Sequence, residues 1–149
     1  AGTFRAVTPY SEALAVPAGR VQAGNFLRAE SLRDFSVTGA VALDGKPLRD
    51  SGRILVLHLS DVAAEGARYL TSKRQIMLAD GDGKKTLAKR AVSRITLDAA
   101  PGNLKLYRLD GSGKRAGEIP LQIIDDKTVF TADTFAADGI VFAYELVRE

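Results

Sequence analysis

The single histidine of the chain, His58, is the first residue to test for chemistry, because imidazole serves both acid–base catalysis and metal ligation near neutral pH. It lies inside the apolar run from Arg53 to Ser60. A Ser-His-Asp arrangement needs a serine on a tight elbow, and no Gly-x-Ser-x-Gly occurs anywhere in the sequence. Histidine metal sites ordinarily share the ion with others of their kind, and His58 has no such company. It therefore reads as a packed or hydrogen-bonded strand histidine. With no cysteine in the chain, a disulfide framework, a Cys-based zinc site and a thiol nucleophile are excluded together.

Carboxylate chemistry comes next. Glycoside hydrolysis asks for two acids across a cleft, and the chain has 18 acidic residues, so some pair is inevitable. Asp125-Asp126, Asp80 with Asp82, and Asp44 all stand beside turn residues, where aspartate is favoured for bonding to backbone N–H groups. Glu145 lies within the final apolar run, on the face opposite Phe142 and Tyr144, and is expected toward solvent. No residue is assigned a catalytic role.

Asp80-Gly81-Asp82-Gly83 invites a calcium reading, which makes Asp80 and Asp82 the candidate metal ligands. Lys84 and Lys85 follow at once and oppose a cation, and the EF-hand spacing is absent, so no metal or other cofactor is expected. Gly111-Ser112-Gly113-Lys114-Arg115 has the glycines and charge of a phosphate cradle without a following helix, and reads as a hairpin loop. Sugar binding by a β-domain relies on exposed rings. The chain has no Trp; Phe130, Phe142 and Tyr144 fall on inward positions, leaving Tyr10, Tyr69 and Tyr107 as candidate ligand platforms.

The elements that would carry these residues are strands. Short apolar or alternating runs closed by Gly, Asp, Asn or Pro recur along the chain: Thr3 to Thr8, Gly24 to Ala29, Phe35 to Leu43, Arg53 to Ser60, Gln75 to Ala79, Val92 to Leu97, Leu104 to Leu109, Ile119 to Ile124, Val129 to Ala132 and Ile140 to Val147. Ile119, Leu121 and Ile123 are expected to share one face, as are Ile140, Phe142, Tyr144 and Leu146. Ile54-Leu55-Val56-Leu57 lacks alternation and reads as a strand covered on both faces or set at the centre of the packing. Asp44-Gly45, Asp110-Gly111 and Asp138-Gly139 supply turns. Helix is confined to a loop or single turn over Asp61 to Leu70, which Gly66 weakens, and a short turn over Thr134 to Ala137. The expectation is an all-β antiparallel sandwich, jelly-roll-like or immunoglobulin-like, of about nine to ten strands with at most one short helix.

The 149 residues form one domain, 1–149, with no linker of low complexity. Their 46% hydrophobic and 26% charged content is that of a globular chain rather than a disordered one. The net charge of +3 comes from basic residues spread among acids, so no nucleic-acid stripe forms, and Lys84, Lys85, Lys89 and Arg90 read as a solvated hairpin flank. No apolar stretch approaches the ~18 residues of a membrane span. The chain begins at alanine, which reads as processing or excision from a longer protein.

One resemblance spans most of the chain. Ser36 to Leu48, with Leu43-Asp44-Gly45-Lys46-Pro47-Leu48, then Ser51 and Arg53-Ile54-Leu55 through Asp61, resembles the C-terminal β-sandwich region of large bacterial glycoside hydrolases. Leu104 to Arg115 is similar to that region's Leu-Asp-x-x-Gly-x-Arg hairpin, and Val141 to Leu146 to its final strand. The chain departs from the pattern at Ala64-Glu65-Gly66 and at Thr8-Pro9-Tyr10-Ser11. The resemblance implies a secreted bacterial accessory domain, extracellular or periplasmic, whose partner is the catalytic barrel of the same parent chain. It carries over no catalytic residue, since the family's acids lie in that barrel, so the domain alone is expected not to be an enzyme. The alternative expectation is an independent carbohydrate-binding module for a polysaccharide or glycan.

Overall fold

The computed structural model describes residues 2–100 and 102–149, and among them there is no helix. The strands run β1 (Phe4–Val7), β2 (Ser11–Val16), β3 (Val21–Ala23), β4 (Leu27–Arg33), β5 (Ser36–Ala42), β6 (Arg53–Leu59), β7 (Val62–Ala64), β8 (Ala67–Tyr69) and β9 (Met77–Asp80). The second half adds β10 (Thr86–Ala88), β11 (Val92–Leu97), β12 (Leu104–Leu109), β13 (Arg115–Ile119), β14 (Gln122–Ile124), β15 (Lys127–Asp133), β16 (Phe135–Ala136), β17 (Gly139–Ile140) and β18 (Ala143–Arg148). A seven-stranded antiparallel sheet in the order β1-β2-β5-β6-β18-β12-β13 lies against a five-stranded one in the order β14-β15-β11-β4-β3. The architecture is the expected all-β sandwich, open rather than closed.

Alternation builds the core. Leu14, Val16, Ala40, Ile54, Val56, Leu106, Tyr144 and Leu146 of the large sheet meet Leu27, Ala29, Ile95, Leu97, Phe130 and Ala132 of the small one, all buried. Phe130 and Tyr144 pack with ring centroids 5.2 Å apart and planes tilted by 59°, and the Tyr144 hydroxyl donates to the Asp133 carbonyl at 3.4 Å. One polar group shapes a core edge: buried Glu12 accepts the backbone N–H groups of Asn25, Phe26 and Leu27 at 2.8 to 3.1 Å, tying β2 to the start of β4. Gly24 leaves room for that carboxylate, because a Cβ there would overlap it.

Several expectations are corrected. Asp61 to Leu70 is neither loop nor helical turn; it forms β7 and β8, the outgoing limb of a two-stranded arm that returns through β9 and β10. Thr134 to Ala137 holds the short strand β16 instead of a helical turn. Pro120, with no N–H to give a ladder, ends the large-sheet strand β13, and the chain enters the small sheet at β14. Ile119 and Leu121 are consequently half-buried against the core while Ile123 is 52% exposed, and the similar break before β18 leaves Ile140 exposed. Glu145, expected toward solvent, is 5% exposed, for the reason given below. The strand count also exceeds expectation, because β2, β3 and β13 lack a run of large apolar residues.

Candidate functional site

The two sheets differ on their outer faces. Outward positions of the small sheet run Gln122, Val129, Thr96, Arg28 and Ala23 in one row and Thr131, Arg94, Glu30 and Val21 in the next, a surface whose centre is Thr, Arg and Glu, with Val129 buried and Val21 exposed at the edge strand. The large sheet presents the opposite. Its registers align Phe4, Ala15, Val37 and Leu59 in one row and Ala6, Ala13, Gly39, Leu57 and Ala143 in the next. Two further rows run Ser11, Val41, Leu55, Glu145, Tyr107 and Glu118, then Arg53, Val147 and Lys105, so the apolar centre lies on β2, β5 and β6 and the charged edge on β12 and β13. Antiparallel sheets with one wet face alternate apolar and polar residues, and β5, β6 and β18 do not. The small sheet covers only the inward side, so Val37, Val41, Leu55 and Leu57 remain half-buried and Leu59 and Phe4 exposed.

Glu145 sits in this apolar face, level with Leu55 and Tyr107. Its two oxygens accept Arg53 Nε and Arg115 Nε at 2.6 Å each, and these side chains cover it. Alternation placed Glu145 on the outward face correctly; the two arginines bury it there. The hydrogen bond from Arg115, with that from Arg53, holds the Glu145 carboxyl below its usual range against the opposing effect of burial. The same bond raises the Arg115 guanidinium, which lies 4.2 Å from the Tyr107 ring centroid. Arg53 opens β6, Arg115 opens β13 and Glu145 lies in β18, so residues far apart in sequence converge here.

The apolar surface continues past Leu59 and Val37 to a groove of 280 Å³ shared with Phe35 and bounded by the Lys89–Asp34 ion pair of 3.0 Å. There the arm of residues 61–89 leaves the sandwich. Val62, Leu70, Ile76, Met77, Leu78 and Leu87 on the arm are all exposed.

The three candidate tyrosines are not brought together. Tyr10 is exposed in the β1–β2 turn, Tyr69 is on the arm beneath Arg74, and Tyr107 lies half-buried under Arg115. A groove of 340 Å³ runs by Arg28, Arg94, Thr96 and Lys127 of the small sheet and Asp98 and Asp125 of its loops, and Phe26, its aromatic lining residue, is buried. Asp80 ends β9, and Asp82 accepts the Lys84 N–H at 3.0 Å within a turn whose glycines, Gly81 and Gly83, have positive φ. Among the described residues no group of three His, Cys, Asp or Glu is placed to hold a metal. Asp110 closes the 110–114 hairpin loop by accepting the Ser112 and Lys114 N–H groups at 2.8 and 3.0 Å.

His58 is fully buried, bonded through Nε2 to Ser93 Oγ at 3.0 Å, and Ser93 in turn to Ser36 Oγ at 3.1 Å. This chain of polar groups links the two sheets near the root of the arm. Burial lowers the His58 pKa to about 4, with the charge of Asp133 opposing.

The fold and face define an antiparallel β-sandwich with one polar and one apolar exterior. The chain matches no protein-family model, no curated protein and no solved structure.

Proposed function

We propose that this chain is a non-catalytic accessory β-sandwich of a bacterial glycoside hydrolase, exported with its parent and held against the catalytic barrel by the outer face of the seven-stranded sheet. One observation carries the reading: β6 has the sequence of a strand covered on both sides, and the second sheet covers one. An uncovered apolar sheet face marks an interaction surface. The resemblance of the Leu43 to Leu48, Leu104 to Arg115 and Val141 to Leu146 segments supplies the identity of the parent.

The test compares the isolated 149 residues with the natural polypeptide, recovered from its source with an antibody to this domain. The reading expects that polypeptide to be far larger than 15.9 kDa and to hydrolyse a glycan, and the isolated domain to be silent on a polysaccharide panel. A natural product of that small mass overturns it. Saturable glycan binding by the isolated domain, lost in Tyr10→Ala or Tyr69→Ala, replaces it with the carbohydrate-binding module.

A further inference from the structure

At the corner of the apolar face, Arg53 and Arg115 keep guanidinium N–H groups that their shared partner Glu145 does not use. Two guanidinium groups share one carboxylate through their Nε atoms, and among the described residues their Nη groups make no hydrogen bond. The arginine side chains are 61% and 45% exposed. Nearby Lys105 is matched by Glu149 at 3.0 Å, and Glu118, paired with Tyr107 across β12 and β13, forms no ion pair with either arginine. A surface laid over the neighbouring Leu55 and Val147 would take these N–H groups out of water. Left unpaired they would oppose docking; a carboxylate is the acceptor that guanidinium N–H groups bind most strongly.

The area points to the kind of occupant. Five strands spaced about 4.8 Å and four rows of outward residues give a face of roughly 500 Å², or about 1,000 Å² counting both surfaces. That falls short of the ~1,600 Å² usual between free proteins and lies within the ~600–1,500 Å² found between domains of one chain. A tether offsets the shortfall by raising the effective concentration.

We propose that the face is occupied by a domain tethered in the same polypeptide, and that this domain sets a carboxylate against Arg53 and Arg115. This rests on the accessory-domain reading. The chain has no cysteine, so Leu57→Cys on the apolar face and Thr131→Cys on the polar face each introduce one label site here, read by mass spectrometry of the labelled peptide. In the natural polypeptide, Leu57→Cys is expected to react about tenfold or more slowly than in the isolated chain, with Thr131→Cys unchanged. Adding Arg115→Gln, or raising salt, is expected to restore most of that rate, as loss of a desolvated charge pair does. A melt of the isolated variant checks its folding, and Arg115→Lys, which keeps the charge on Glu145 but loses the fork, decides the matter if Arg115→Gln does not fold.

Protection that neither arginine variant relieves overturns the carboxylate and leaves the accessory reading standing. No protection at Leu57→Cys overturns both. Protection in the isolated chain, rising with concentration as it sediments as a dimer, makes the occupant a second copy and overturns the tethered partner.

Discussion

Acidification from pH 7 to pH 5 is expected to weaken the fold by about 2 kcal/mol through His58 alone. In the unfolded chain this imidazole titrates at 6.5, and in the folded one burial holds it at about 4. Below pH 6.5 the unfolded state therefore takes a proton that the folded state refuses. Stability is complete above pH 6.5 and falls until the pH reaches about 4, where the folded state also protonates. At about 1.4 kcal/mol per pH unit the full loss is near 3 kcal/mol, of which about 2 is spent by pH 5. Few other groups intrude. His58 is the one histidine, and Asp34, Asp44, Asp110, Asp133, Asp138 and Glu145 are all held below their ordinary values of 3.8 to 4.5, so their contributions fade at lower pH. Urea unfolding at pH 7, 6 and 5 reads the loss, with His58→Asn as the variant in which it disappears. Should that variant not fold, a proton NMR titration of His58 serves instead. A midpoint unchanged between pH 7 and pH 5, or a folded-state imidazole pKa near 6.5, would refute the reasoning.

Glu12→Ala strips three backbone N–H groups of their acceptor at a core edge and is expected to cost about 3 kcal/mol or more in denaturant unfolding. Gly24→Ala, which drives a methyl into that same carboxylate, is expected to lower the melting temperature by several degrees, at about 1–3 kcal/mol. Leu57→Arg, on the open face, is expected to cost the isolated chain under about 1 kcal/mol, whereas Val56→Arg, one residue away and fully buried, prevents folding; circular dichroism melts separate the two. Replacing residues 66–82 of the arm by a short turn is expected to change stability by no more than about 1 kcal/mol, because its large apolar side chains lie outside the core.

The strands that could be read from residues alone are those with large alternating side chains, such as Val92–Leu97 and Leu104–Leu109. Ser11–Val16 escaped because its outward residues are a serine and two alanines and its first inward one is Glu12, whose backbone N–H donors lie 13 to 15 residues away. The arm escaped because a ribbon outside the core has no reason to alternate. The candidate face was half-legible: the unbroken Ile54 to Leu57 run announced two covered sides, but only strand order shows which side the second sheet leaves open. The cluster at Glu145 was not legible. Its members stand 92 and 30 residues apart, and one outward glutamate in a strand looks solvated until its arginines are placed.

Hydroxyl-radical footprinting of the natural polypeptide against the isolated 149 residues tests the docking of this face most directly. The account predicts that oxidation of Val41, Leu55 and Leu57 falls several-fold in the natural polypeptide while Val21, exposed on the small sheet, is oxidised equally in both. Equal oxidation of both faces in both samples would contradict it.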